Sequence, residues 1–255
     1  MITLSDTSLD DLVGLSHKIG AADMDCAILG EGNSSADLGD GTFAVKGSGC
    51  CLGTMGPEHF VRLYREPIVA LLEQDIPLDA LQEHYRAALV DRHQLRRPSV
   101  ETVFHAMALS LPDVSYVAHT HPTAVNALTC APEWRALLAG RLCPDEAVVL
   151  GPDSVFVPYV DPGITLARCI RDEIDAYRVR WGSSPKVVYL QNHGLIALGG
   201  SATEAFNITV MAVKAARMRL GCLQAGGINP LPEAVVAHLL GRSDEHYRIQ
   251  QLAAS

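Results

Sequence analysis

The chain has 255 residues, 48% of them hydrophobic and 19% charged, with a formal net charge of -9. That composition describes a folded protein with a sizeable core, read as one domain over residues 1–255 because no Gly/Ser/Pro-rich linker or charge block divides it. The acidic balance, without a Lys/Arg run to displace counterions, argues against a nucleic-acid partner, and no apolar stretch approaches the roughly 18 residues of a membrane span.

Asp6, Asp10 and Asp11 stand where a secretion signal would be basic and then apolar, so a cytoplasmic location is expected. Cys26, Cys50, Cys51, Cys130, Cys143, Cys169 and Cys222 form an odd set without a Cys-x-x-Cys pair. They read as reduced thiols, mostly small buried hydrophobes.

Apolar residues at Leu9, Leu12, Val13, Leu15 and Ile19 predict an opening helix over residues 9–24, with Ser8 as N-cap. Residues 29–49 are glycine-dense, carry a hairpin signal at Asp40-Gly41, and read as strand, turn, strand and loop. Glycines let backbone N–H groups approach an anion, and Asn33, Ser34, Lys46 and Ser48 add donors, so a phosphate or carboxylate fits there. Two tight turns would account for the same glycines. Residues 58–73 have helical spacing, residues 80–90 form another short helix, and residues 92–97 form a basic, solvated loop.

In residues 98–112, Ser99 is a good N-cap, which places Glu101 in the first turn of a helix ending near Leu111. This helix leads directly into an apolar run, residues 115–122, that ends in His119-Thr120-His121-Pro122. On a strand, alternation points His119 and His121 the same way and Thr120 to the other face. Two such imidazoles are half of a zinc site, since catalytic Zn²⁺ usually takes three protein ligands. One histidine on a carbonyl and the other in solvent would explain an isolated His-x-His equally well. Helix followed by strand brings Glu101 to the same sheet edge as the histidines. His105, four residues after Glu101 on the same helix face, is assigned a supporting or packing role, with a ligand role as the lesser alternative.

A helix over residues 122–138 breaks around Pro132, and residues 147–160 contain two short β-rich runs, at 148–150 and 155–157. Residues 165–180 form an amphipathic helix. Two β-branched runs within residues 186–199 flank Asn192-His193-Gly194, which puts a third histidine at a strand end beside a glycine that permits close approach. Residues 201–220 form a helix capped by Ser201 or Thr203 with Glu204 in its first turn, and a helix over residues 232–240 lies in the tail.

Gly32-Asn33-x-Ser35, Lys46-Gly-Ser-Gly49, Pro98-Ser-x-Glu101, His119-x-His121-Pro122 and Asn192-His193-Gly194 occur in the order found in the class II aldolase/adducin family, which the chain resembles from about Leu12 to Met218. That family includes fuculose and rhamnulose 1-phosphate aldolases and ribulose 5-phosphate 4-epimerase. The resemblance implies a three-layer αβα fold on a central, mainly antiparallel sheet, and a homotetramer with active sites near subunit contacts. It also implies a small-molecule substrate and a Zn²⁺ ion, or Mn²⁺ or Co²⁺, on His119, His121 and His193. Glu101 matches the acid/base, and Asn33, Ser48, Gly49 and Ser99 match the phosphate-binding set, with Lys46 beside them. The wording around Lys46 is most similar to the aldolase portion of bifunctional rhamnulose-phosphate aldolase/dehydrogenases, without the dehydrogenase portion.

The implied reaction is a retro-aldol cleavage in which a metal holds the released electron pair as an enediolate. Val100 replaces the second serine of the common Pro-Ser-Ser-Glu and removes one hydroxyl from the anion pocket. This keeps decarboxylation or dehydration of a carboxylate substrate open as the rival reaction. Epimerases carry Asp at the position of Glu101, which disfavours epimerisation. The tyrosine that some aldolases use as a second proton donor has no clear match; Tyr247 is the candidate. An adducin-like module without a metal is the non-enzymatic alternative.

Overall fold

A computed structural model describes residues 4–245 and 247. Seven strands form one sheet: β1 (Asn33–Asp37), β2 (Thr42–Lys46), β3 (Phe60–Tyr64), β4 (Tyr116–Thr120), β5 (Val155–Val157), β6 (Val187–Leu190) and β7 (Gly194–Gly199). Their spatial order is β3-β2-β1-β4-β7-β6-β5. Every pairing is antiparallel except β5 with β6, so the sheet is mainly antiparallel, as expected.

The helices are α1 (Leu4–Ile19), α2 (Arg65–Val69), α3 (Leu81–Ala87), α4 (Thr102–Ala108), α5 (Thr123–Thr129), α6 (Trp134–Leu138), α7 (Pro144–Leu150), α8 (Ile164–Trp181), α9 (Ala202–Gln224) and α10 (Glu233–Leu240). Alternation along the strands divides their side chains between two cores. Phe43, Val45, Val117, Val188, Ile196 and Leu198 pack with Ile68, Tyr85, Phe104 and Ile170 of α2, α3, α4 and α8. Ala44, Tyr116, Ala118, Tyr189, Leu195 and Ala197 face Leu12, Leu15, Val125, Leu150 and Ile208 of α1, α5, α7 and α9. The result is the three-layer αβα arrangement.

Several local expectations are corrected. The first helix runs from Leu4 to Ile19, so Ser8 lies inside it and does not cap it. It stops where Gly20 meets Gly53: a Cβ on Gly20 would lie 2.3 Å from the Gly53 nitrogen. Residues 22–24 are a separate 3-10 turn. The segment 58–73 is not one helix, because Phe60–Tyr64 pairs along its length with β2 and buries Phe60, Val61 and Leu63. Helix begins only at Arg65. Residues 148–150 are helical, not β: Pro144 sits at the helix start with Asp145 and Glu146 in the first turn, and the helix ends at Gly151, φ 74°. The helix expected over the 98–112 stretch is shorter, Thr102–Ala108, so Glu101 occupies its N-cap position. Only Cys26 and Cys50 of the seven cysteines are buried, although all are free thiols.

Candidate active site

The ends of β4 and β6 and the start of β7 lie at one edge of the sheet. His119 is the fourth residue of β4 and fully buried, and His121 follows the strand, its N–H donated to the Cys26 carbonyl at 2.8 Å. His193 closes a three-residue connection between Leu190 and Gly194, which pair across β6 and β7. Asn192 turns that corner at φ 53°, a left-handed conformation that asparagine tolerates better than most residues. Asn126 of α5, which no sequence motif singles out, donates from Nδ2 to the His193 carbonyl at 3.1 Å. Gly194 is required for contact: its Cβ would lie 2.4 Å from the Thr120 carbonyl oxygen and 2.8 Å from His121 Cδ2.

The three imidazoles converge. His119 Nε2 lies 3.0 Å from His121 Nε2 and 3.3 Å from His193 Nε2. His119 Nδ1 lies 2.9 Å from the Leu195 carbonyl, which can only accept, so Nδ1 carries the proton and Nε2 presents a lone pair. Burial, then the neighbouring imidazoles, push His119 and His121 down to about 3, so both rings are neutral. Lone pairs at this separation match a shared cation: tetrahedral ligands about 2.05 Å from zinc stand about 3.3 Å apart. The donor set therefore fits a divalent ion of the zinc type.

Glu101 completes the constellation. Its Oε2 is 3.5 Å from His119 Nε2 and its Oε1 is 3.4 Å from His193 Nε2. Oε2 accepts from Asn33 Nδ2 at 2.7 Å, whereas Oε1 is buried without a hydrogen-bond partner. Ser99 does not cap the helix, because Glu101 holds the N-cap position; its hydroxyl instead accepts from the Glu101 N–H at 3.3 Å and from Asn33 Nδ2 at 3.2 Å.

The remaining anion-site candidates differ in surroundings. Ser48 and Gly49 are exposed, and Gly49 adopts φ 77° with open space around it. Lys46 is 3% exposed, and its Nζ donates to the Gly30 and Gly32 carbonyls at 2.8 Å each. Burial lowers its pKa. It fastens the glycine loop that carries Asn33 and has one N–H left for a ligand. Tyr247 lies in the tail beyond α10, 64% exposed, and none of the triad's contacts involves it. Tyr159 stands in no recognisable motif; it follows β5, whose parallel pairing with β6 delivers it to the same sheet edge as His193. Its N–H donates to Gln191 Oε1 at 3.2 Å and its ring is 55% exposed.

Comparisons with known proteins bear on the fold and the family. The uncharacterized oxidoreductase YuxG of Bacillus subtilis (strain 168) is 29% identical over 220 residues, which are 82% of this chain but 29% of that protein. The chain thus spans under a third of this curated relative. The structure of the N-terminal class II aldolase domain of a conserved protein from Thermoplasma acidophilum superposes with a TM-score of 0.67 at 27% identity, covering 84% of this chain and 94% of that one. An L-fuculose 1-phosphate aldolase shares the fold at a TM-score of 0.69 and 18% identity, covering 96% of this chain and 97% of that one. The family described as Class II Aldolase and Adducin N-terminal domain matches residues 11–220, and the chain belongs to it.

Proposed function

We propose that the chain is a metal-dependent lyase that cleaves a C–C bond in a small hydroxy-carbonyl substrate, in the manner of a sugar-phosphate aldolase. The observation that carries this reading is three imidazoles converging beside a buried carboxylate whose Oε1 has no hydrogen-bond partner. His119, His121 and His193 would hold the divalent ion, zinc being the first candidate. When bound, the ion supplies Lewis-acid charge for the electron pair released by bond cleavage.

The protein's own groups move the protons. Cleavage removes one proton from the hydroxyl on the departing carbon and returns one to the carbon that keeps the electron pair. Glu101 performs one of these transfers through Oε1. The other calls for a second hydroxyl, for which the candidates are Tyr159, whose O–H donates to Asp161 Oδ1 at 3.0 Å, and Tyr247 of the exposed tail. Ser48, Gly49 and the remaining Lys46 donor provide the anion-binding side of the site. Leu29, 81% exposed, precedes the glycine loop and Val100, 41% exposed, precedes Glu101; exposed apolar side chains next to site residues in sequence support a homotetramer with active sites near subunit contacts.

One observation favours a second reading. Both Asn33 N–H groups are taken by Ser99 and Glu101, and Lys46 donates to two carbonyls, while Val100 offers no hydroxyl. Fewer free donors suit a carboxylate substrate that is decarboxylated or dehydrated. Assaying zinc-loaded protein against phosphorylated ketoses and against hydroxy- and keto-carboxylates, with aldehyde or CO₂ release as readout, distinguishes the two. Glu101→Gln is expected to keep its metal and lose about 10²- to 10⁴-fold in turnover. Full activity in that variant removes Glu101 from the reaction.

A further inference from the structure

Behind Glu101 runs a buried chain of polar groups, drawn from β1 and α4, with no place in the proposed reaction. Ser35 Oγ lies 2.7 Å from His105 Nδ1, and His105 Nε2 is hydrogen-bonded to Asn33 Oδ1. Asn33 Nδ2 reaches Glu101 Oε2 at 2.7 Å. Ser35 and His105 are fully buried and Asn33 is 4% exposed, so water does not compete for these bonds. The His105 ring is further held by stacking on Phe104, with centroids 4.5 Å apart and planes 23° apart.

The direction of every bond follows from donor and acceptor counting. A carboxylate oxygen only accepts, so the atom of Asn33 that faces Oε2 must be its NH₂ group. Its other end, Oδ1, then needs a donor, and His105 Nε2 must carry the ring proton. Burial keeps His105 neutral, with one ring proton, so Nδ1 is an acceptor and Ser35 Oγ–H donates to it. A flipped Asn33 amide would set Oδ1 against Oε2, two acceptors facing each other whatever tautomer His105 adopts.

We propose that Ser35, His105 and Asn33 are positioning residues that fix one orientation of Glu101, holding Oε2 as an acceptor and leaving Oε1 as the oxygen that exchanges a proton with substrate. Asn33 thereby serves the carboxylate and not a substrate anion. This rests on the lyase reading for its catalytic consequence, but the bonding chain itself does not.

The test uses zinc-loaded and metal-free protein with His105→Leu, His105→Gln, Asn33→Asp and, as a milder change that keeps the ring, Ser35→Ala. Glutamine places an N–H donor near the position of His105 Nε2, whereas leucine supplies none. In metal-free protein, ¹⁵N NMR should show the two Asn33 side-chain amide protons distinct and protected from water. They should collapse toward solvent exchange in His105→Leu, less so in Ser35→Ala, and be retained in His105→Gln. In loaded protein, His105→Leu and Asn33→Asp should lower kcat about 10- to 100-fold, the range for outer-shell partners of a metal site, with KM within about twofold. His105→Gln should recover most of the loss. If His105→Leu does not fold, Ser35→Ala and Asn33→Asp carry the comparison. A rise in KM at unchanged kcat, or an Asn33 amide indifferent to His105, overturns the proposal. Protected amide signals in a protein that turns over no tested substrate leave the positioning chain intact and defeat the lyase reading instead.

Discussion

Gly194→Ala is expected to disable the metal site without replacing any of the three histidines. Its new Cβ would stand 2.4 Å from the Thr120 carbonyl oxygen and 2.8 Å from His121 Cδ2. Ordinary carbon contacts lie near 3.5 Å or beyond, so the ring must retreat by roughly 0.7 Å and the strand by roughly 1.1 Å. Metal coordination tolerates errors of only about 0.2 Å, so the displaced His121 cannot ligate together with His119 and His193. Zinc affinity should fall by at least about 100-fold, the upper range for disturbing a supporting residue. Because Thr120 pairs with Leu195 across β4 and β7, overpacking there should also cost about 1–3 kcal/mol of stability. The assay is competition between metal-free protein and a chromophoric chelator, with circular dichroism to establish that the variant is folded. Gly221→Ala is the control: it lies in α9 with no atom within 4 Å of where a Cβ would stand, so it should stabilise by about 0.5–1 kcal/mol and leave zinc binding unchanged. A folded Gly194→Ala protein with undiminished affinity would refute the close-packing argument and the three-histidine geometry with it.

Metal-free protein should lose stability as pH falls from about 6.5 toward 3. His105 and His119, held down to about 3 by burial, stay unprotonated while the unfolded chain takes up protons, each steepening the fall by up to about 1.4 kcal/mol per pH unit. Urea unfolding between pH 7 and 4 measures this, and a flat profile contradicts it. Glu146, 1% exposed, pairs with Arg219 at 2.9 Å and with Arg141 at 3.9 Å; Glu146→Ala leaves two buried arginines short of their carboxylate and should destabilise by about 3–5 kcal/mol, read by thermal or chemical unfolding. Tyr159→Phe and Tyr247→Phe, each compared by kcat at saturating zinc, decide which hydroxyl takes part: the participating one should cost about 10²-fold or more, the other less than twofold.

The site was legible because its chemistry coincides with simple periodicities. His119 and His121 share a face by strand alternation, and Asn192-His193-Gly194 interrupts two β-branched runs at the place where a chain must turn. Glu101 could be placed by the helix-then-strand order alone. What stayed hidden depends on partners distant in sequence. Asn33 and Glu101 are separated by 68 positions, and nothing local shows that the asparagine is turned toward the carboxylate and away from a ligand. Lys46 has the look of a free anion donor in the sequence, whereas in the fold the Gly30 and Gly32 carbonyls surround it. The β3 segment has apolar spacing compatible with a helix, and only the open edge of β2 decides for a strand. Residues 148–150 erred in the opposite direction, since β-branched composition was outweighed by the proline and acidic residues that start α7.

The separation of the histidines along the chain has a consequence for how the protein matures. His119 and His193 are 74 positions apart and meet only through the pairing of β4 with β7. A growing polypeptide that has emerged only through β6 lacks the third imidazole and cannot close the coordination shell. If the three histidines hold an ion, as proposed, its uptake waits for the late strand to dock, and from then on the bound cation would favour the assembled sheet over any opened form by mass action.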